Sequence, residues 1–164
     1  MSLLSNKSRR IAVSAVFFFY GLCFASWASR IPNIQQNLGL SEAALGGVLF
    51  SLPLGLFISL PFSGYLIAKF GSKVVVVCSS IMYSSLLLGI GYAPSILSLT
   101  VVLFFFGFFG NMLNISINTQ AVGIEDIYNK KLMATFHGMW SLAGFAGAAI
   151  GTYMMGKSVE PVFQ

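Results

Sequence analysis

Three long runs without a charged residue, Ile11–Ser29, Ala43–Ala68 and Val74–Tyr92, constrain this chain more than any other feature in it. A helix that crosses a bilayer needs about 20 mostly apolar residues, and these runs reach that scale. A membrane barrel would instead alternate apolar and polar residues in segments of roughly ten. Continuous stretches such as Val101–Phe109 do not alternate. Composition agrees: 57% of the 164 residues are hydrophobic and 8% are charged, against roughly 25% charged in soluble domains. Too little charge is present to cover a globule in water, so hydrocarbon is the solvent, and helices satisfy their own backbone there. The fold class expected is an all-α membrane protein.

Five spans are expected, at about 11–29, 43–68, 74–92, 96–123 and 132–156, with residues 1–10 as a polar tail and 157–164 as a stub. Ser41 is placed to cap the second span. Pro53 and Pro61 fall inside that span, where neighbouring helices can satisfy the carbonyls they free. A basic tail before an apolar run also describes a signal peptide, and Ser26-Trp27-Ala28 has the outline of a cleavage site. The length of the run and the spans that follow weigh against that reading. No lipobox precedes Cys23. Neither Cys23 nor Cys78 has metal-ligand spacing, and both read as small core residues. The chain shows no soluble domain, low-complexity tract or short-period repeat.

The net charge of +5 does not point to nucleic acid, because the basic residues sit in short clusters between apolar runs. With the N-terminus inside, cytoplasmic segments hold Lys7, Arg9, Arg10, Lys69, Lys73, Lys130 and Lys131, and external ones hold Arg30 and Lys157. This asymmetry predicts a cytoplasmic N-terminus and, with an odd number of spans, an external C-terminal stub.

The connector after the second span reads Gly64-Tyr65-Leu66-Ile67-Ala68-Lys69-Phe70-Gly71-Ser72-Lys73. It resembles G-x-L-x-D-R-x-G-R-K, the signature between the second and third helices of the major facilitator superfamily. Gly64, Leu66, Lys69, Gly71 and Lys73 carry the likeness; the glycines are read as permitting a tight turn and the lysines as holding the loop cytoplasmic. Ala68 replaces the usual Asp, so that residue's charge-relay role does not transfer. Ala25–Pro32, Gly46–Phe50 and Phe136–Leu142 resemble one bacterial inner-membrane branch, near the fucose:proton symporters. The resemblance implies twelve helices in two six-helix halves with a midplane site between them. It also implies that this chain ends where a sixth helix would begin and represents the first part of such a transporter.

Asn111, Asn114 and Asn118 share one face of the fourth span at i, i+3 and i+7, with Gln120 nearby. Polar residues in a span mark a solute path or serve as interhelical glue, and both readings stand. In the fucose-symporter relatives an acidic proton-handling residue falls at Asn114, while Asn118 matches; an amide here puts proton coupling through that position in doubt. His137, the single histidine, and Trp140 one turn on are either solute contacts or an interfacial histidine beside a core aromatic. Trp27 and Arg30 close the first span, Trp27 suiting an interfacial belt and Arg30 a snorkelling contact, with an anionic solute as the alternative. Ala143, Gly147 and Gly151, spaced by four, read as a helix-packing stripe.

No cofactor or metal is implied. Glu42, Glu125, Asp126 and Glu160 fall in connectors or the tail, so no positioned titratable pair suggests an enzyme. The partners implied are the lipid bilayer, a small and sugar-like solute, and either a missing second half or a second copy. The competing class is a small oligomeric membrane scaffold built on the glycine-rich fifth helix.

Overall fold

The structure is a computed structural model, and it describes residues 5–157 and 159. Six helices and their short connectors make up the described chain: α1 (Asn6–Ala28), α2 (Ile31–Asn37), α3 (Glu42–Phe70), α4 (Ser72–Gly91), α5 (Ile96–Tyr128) and α6 (Met133–Gly156). Local chemistry sets their ends. The hydroxyls of Ser5 and Ser41 accept the N–H groups of Ser8 and Ala44, each at 3.2 Å, and Ser95 closes a reciprocal box with Ser98. These are orphan donors that only a side chain or water can satisfy. Gly71 ends α3 at φ +80°, a conformation that suits glycine and lets α4 start at the next residue.

Three boundaries differ from the sequence reading. Asn6–Arg10 are helical, not part of a tail, because the Ser5 cap starts α1 early. The connector after α1 contains a helix of its own, α2, with Pro32 in its first turn. Its Gln35 donates to Glu42 Oε1 at 2.8 Å and so ties α2 to the start of α3. α5 runs past Gly123 to Tyr128, where Asn129 turns the chain in the left-handed region. Of the expected stub, only Lys157 and Val159 belong to the described residues.

Four stretches are long and apolar enough to cross a membrane: Asn6–Asn37, Glu42–Phe70, Ser72–Gly91 and Ile96–Tyr128. The fifth long helix, α6, has 24 residues, and its glycines, His137, Ser141 and threonines dilute its hydropathy. The outward faces suit lipid, as Leu97, Phe57 and Phe145 are 74%, 69% and 77% exposed. The many serines in these helices are tolerated because their hydroxyls fold back onto their own backbone. Ser51 donates to Val48 O, Ser63 to Ser59 O, and Ser79 to Val75 O. Cys23 is buried as expected, but Cys78 is exposed on α4, off the face that buries Ser79 and Tyr83.

Packing is organised around α5, which contributes the longest set of buried residues, and around two parallel helix pairs. In the α3·α5 pair, Gly55 lies against the Phe104 carbonyl and Gly107 against the Leu52 carbonyl, so that a Cβ at either would overlap backbone. In the α1·α6 pair, Gly21 meets the Trp140 carbonyl and Gly147 meets Ala25 and Leu22. Without a hydrophobic drive between helices in lipid, such backbone-to-backbone approach supplies the dispersion contact that holds them. Phe17 stacks on Phe136 at 5.6 Å lower in the second pair.

Candidate functional site

The amides of α5 divide into three groups. Asn111 is 7% exposed and turns toward α3, where its Nδ2 donates to Ser59 Oγ at 2.8 Å and to the Leu56 carbonyl at 3.2 Å. Gln120 donates to Ser72 Oγ at the start of α4. Asn114 and Asn118 bond to each other: Asn118 Nδ2 donates to the Asn114 backbone carbonyl at 2.8 Å and to its Oδ1 at 3.0 Å. Both are half-buried, one and two turns beyond Asn111. Shared helical face thus does not mean shared role, since one amide is spent on α3 while two remain partly open.

Two turns before Asn114, at Phe106, α1, α4, α5 and α6 converge in an aromatic cluster. Tyr83 stacks on Phe106 at 4.1 Å, Tyr20 lies 5.4 Å from Tyr83, and Trp27 lies 5.7 Å from Phe106. Trp140 faces both Tyr20 and Phe24 at 6.3 Å. Gly110 makes room for the Tyr83 ring, because a Cβ there would press on its edge. The Tyr83 hydroxyl and the Trp140 indole N–H are buried and have no hydrogen-bond partner among the described residues. Buried polar groups ordinarily find partners, so these two donors set the cluster apart from the purely apolar core. Sequence reading singled out Trp27 and Trp140 but not Tyr20, Phe24, Tyr83 or Phe106. The spacing of Tyr20, Phe24 and Trp27 along one face of α1 was the available signal.

Trp27 and Arg30 are placed differently from the belt and snorkelling readings. Trp27 is 7% and Arg30 2% exposed, and Arg30 donates from a terminal guanidinium nitrogen to the Val159 carbonyl at 3.0 Å. The chain beyond α6 supplies an acceptor that takes the arginine out of solvent. A cavity of about 10 Å³ beneath Trp27, lined by Ile34, Val48 and Leu99 among others, holds no more than a water.

His137 is exposed and edge-on to the Phe17 ring at 5.3 Å. Ala143, Gly147 and Gly151 are buried on one stripe of α6, and Gly147 touches α1. In the loop signature, Gly71 alone occupies a conformation that needs glycine. Gly64 sits inside α3 with nothing within contact of a would-be Cβ, so it does not form part of the turn. Leu66 is half-buried, Lys73 is exposed, and Lys69 donates to the Tyr65 hydroxyl at 3.2 Å while lying over the Phe70 ring.

Charge lies at the helix ends. Glu42 opens α3, Glu125 and Asp126 stand in the last turns of α5, and Glu160 lies outside the described residues. Glu125 reaches across the connector, and its carboxylate accepts the backbone N–H groups of Leu132 and Met133 at the start of α6. Among the described residues no three His, Cys, Asp or Glu side chains gather in a way that would hold a metal ion. Among the described residues the middle of the bundle therefore offers hydrogen bonds and aromatic faces, and no carboxylate.

The Major Facilitator Superfamily profile matches residues 12–163. The chain belongs to this superfamily. It is 32% identical over 151 residues to an uncharacterized transporter of Sinorhizobium fredii, covering 92% of this chain and 40% of that one. An uncharacterized MFS-type transporter of Yersinia pestis is 28% identical over 94% of this chain and 40% of its own length. Membrane protein MosC of Rhizobium meliloti is 28% identical, over 87% of this chain and 36% of its own. The chain thus spans about two fifths of the length of the relatives it matches. No solved structure gives a significant match.

Proposed function

We propose that this chain forms the first part of a secondary transporter that moves a small solute by alternating access, its solute path running along the Asn114–Asn118 face of α5 and the Trp140 cluster. The observation that carries this reading is the partly open amide pair near the middle of α5, the amides to either side of it, Asn111 and Gln120, being spent on α3 and α4. Such groups are costly in hydrocarbon unless they face a protein interior or a water-filled path. The likeness to the fucose:proton branch adds that the solute is sugar-like. Asn114, standing where that branch has an acid, removes proton transfer from this position.

The seven basic residues near the N-terminus, the Gly71 turn and the α5–α6 connector support a cytoplasmic position for that end of the bundle, in a bacterial inner membrane. Alternating access needs one helical repeat to rock against another, so these residues alone do not drive coupled transport. A second half or a second copy completes the path. The test is uptake by vesicles containing only this chain, offered a panel of sugars and small acids under an imposed proton gradient. No accumulation is expected; saturable, gradient-driven uptake of any solute would show that this length of chain is sufficient.

A further inference from the structure

The bond between Asn118 and Asn114 decides which atoms of the pair remain available. An amide's nitrogen and oxygen are distinguished by their partners. Asn118 contacts the Asn114 backbone carbonyl at 2.8 Å, and a carbonyl can only accept. The contacting atom of Asn118 is therefore its Nδ2. The same nitrogen lies 3.0 Å from a side-chain atom of Asn114, which must also accept and is therefore Oδ1. That leaves the Asn114 NH₂ and the Asn118 carbonyl oxygen without a partner among the described residues, on two half-buried side chains.

We propose that Asn118 is a positioning residue that locks the Asn114 amide with its NH₂ toward the solute path. The path then presents a donor and, one turn away, an acceptor. This is the complement of a hydroxylated solute, whose oxygens both accept and donate. Neither group titrates, so recognition here is indifferent to pH across the range in which carboxylates and imidazoles change charge. The lock also explains why an amide at 118 accompanies an amide at 114. An acid at 118 would pull the Asn114 NH₂ inward and present the carbonyl oxygen instead, inverting the polarity read by the solute.

The proposal rests on the reading of this α5 face as part of the solute path, and one measurement separates the two. The probe is water itself. The chain, labelled with ¹⁵N on asparagine side chains, is reconstituted in liposomes, and transfer of water magnetisation to each NH₂ is followed by solid-state NMR. Asn114→Asp and Asn118→Asp each delete one signal and so assign the pair. In the unsubstituted chain the Asn114 NH₂ is expected to receive water magnetisation several-fold faster than the Asn118 NH₂. In Asn118→Asp the Asn114 signal is expected to lose most of that advantage as its NH₂ turns to the new carboxylate. Equal rates, or a faster Asn118 signal, would overturn the lock while leaving the path reading intact. If both amides contact lipid acyl chains and neither contacts water, the path reading fails and the lock falls with it. Asn114→Ser and Asn118→Ser delete the same signals and supply the same assignment, so one variant that fails to fold does not remove the test.

Discussion

Asn111 Nδ2 stands 2.8 Å from Ser59 Oγ, joining α5 to α3 where both side chains are almost closed off from their surroundings. The same amide also bonds the Leu56 carbonyl, on which Ser59 Oγ itself converges. Replacing Asn111 with leucine should destabilise the bundle by about 0.6 kcal/mol per lost bond, within an observed ceiling of ~1.7. Unfolding in mixed detergent micelles, followed by helical circular dichroism, measures this. Combining Asn111→Leu with Ser59→Ala should cost less than the sum of the two, because they remove one shared bond.

The glycine crossings give a sharper contrast. A valine at Gly107 must displace the Leu52 carbonyl, and backbone cannot retreat as a flexible side chain can. Overpacking of this kind typically costs about 1–3 kcal/mol. Gly64→Ala, in the loop signature and with open space around its Cβ, should be neutral or slightly stabilising through helix propensity. A comparable loss at both positions would mean that α3 and α5 do not cross as described.

Glu125 closes the amino end of α6 from the last turns of α5, so its removal should be felt on the far side of the connector. In Glu125→Ala, hydrogen exchange at the Leu132 and Met133 amides should accelerate, while Glu125→Gln, which keeps an acceptor, should stay closer to the parent. Unchanged exchange in the alanine variant would indicate that water serves the helix end equally well.

Orientation is open to a direct check. Reporter fusions after Phe70 and Asn129 should score cytoplasmic, and a fusion after Gln36 external, if the basic clusters direct insertion. A cytoplasmic score at Gln36 would show that α1 does not cross the membrane.

How much of this was legible in the sequence depends on how local each cause is. The long helices announce themselves because hydrocarbon demands apolar residues over their full length, and the cap at Ser41 lies beside the backbone it serves. α2 was missed because seven residues with an early proline look like any connector. The last turns of α5 were missed because Glu125 and Asp126 read as solvated charge, when one of them is holding the next helix. Arg30 and Trp27 were read as residues at a water boundary, but an acceptor from beyond α6 draws the arginine inward, across a sequence separation of 129 residues. The amides of α5 were legible as a face. Their division between packing and an open pair depends on how closely α3 approaches, and that is set by Gly55 and Gly107 together.

The α1·α6 pairing bears on how the protein is made. α1 emerges from the ribosome well before α6, yet the surface that meets Gly21 belongs to α6, with about a hundred residues to be translated between them; at typical rates of synthesis that is an interval on the order of ten seconds. Throughout it Phe17 and the Gly21 groove must rest against lipid or an insertion factor. The α3·α5 pair can close before α6 has left the ribosome, so assembly has an order built into it. Substitutions in α1 should therefore show their effect in how much protein reaches the membrane intact, before they show it in the stability of what arrives.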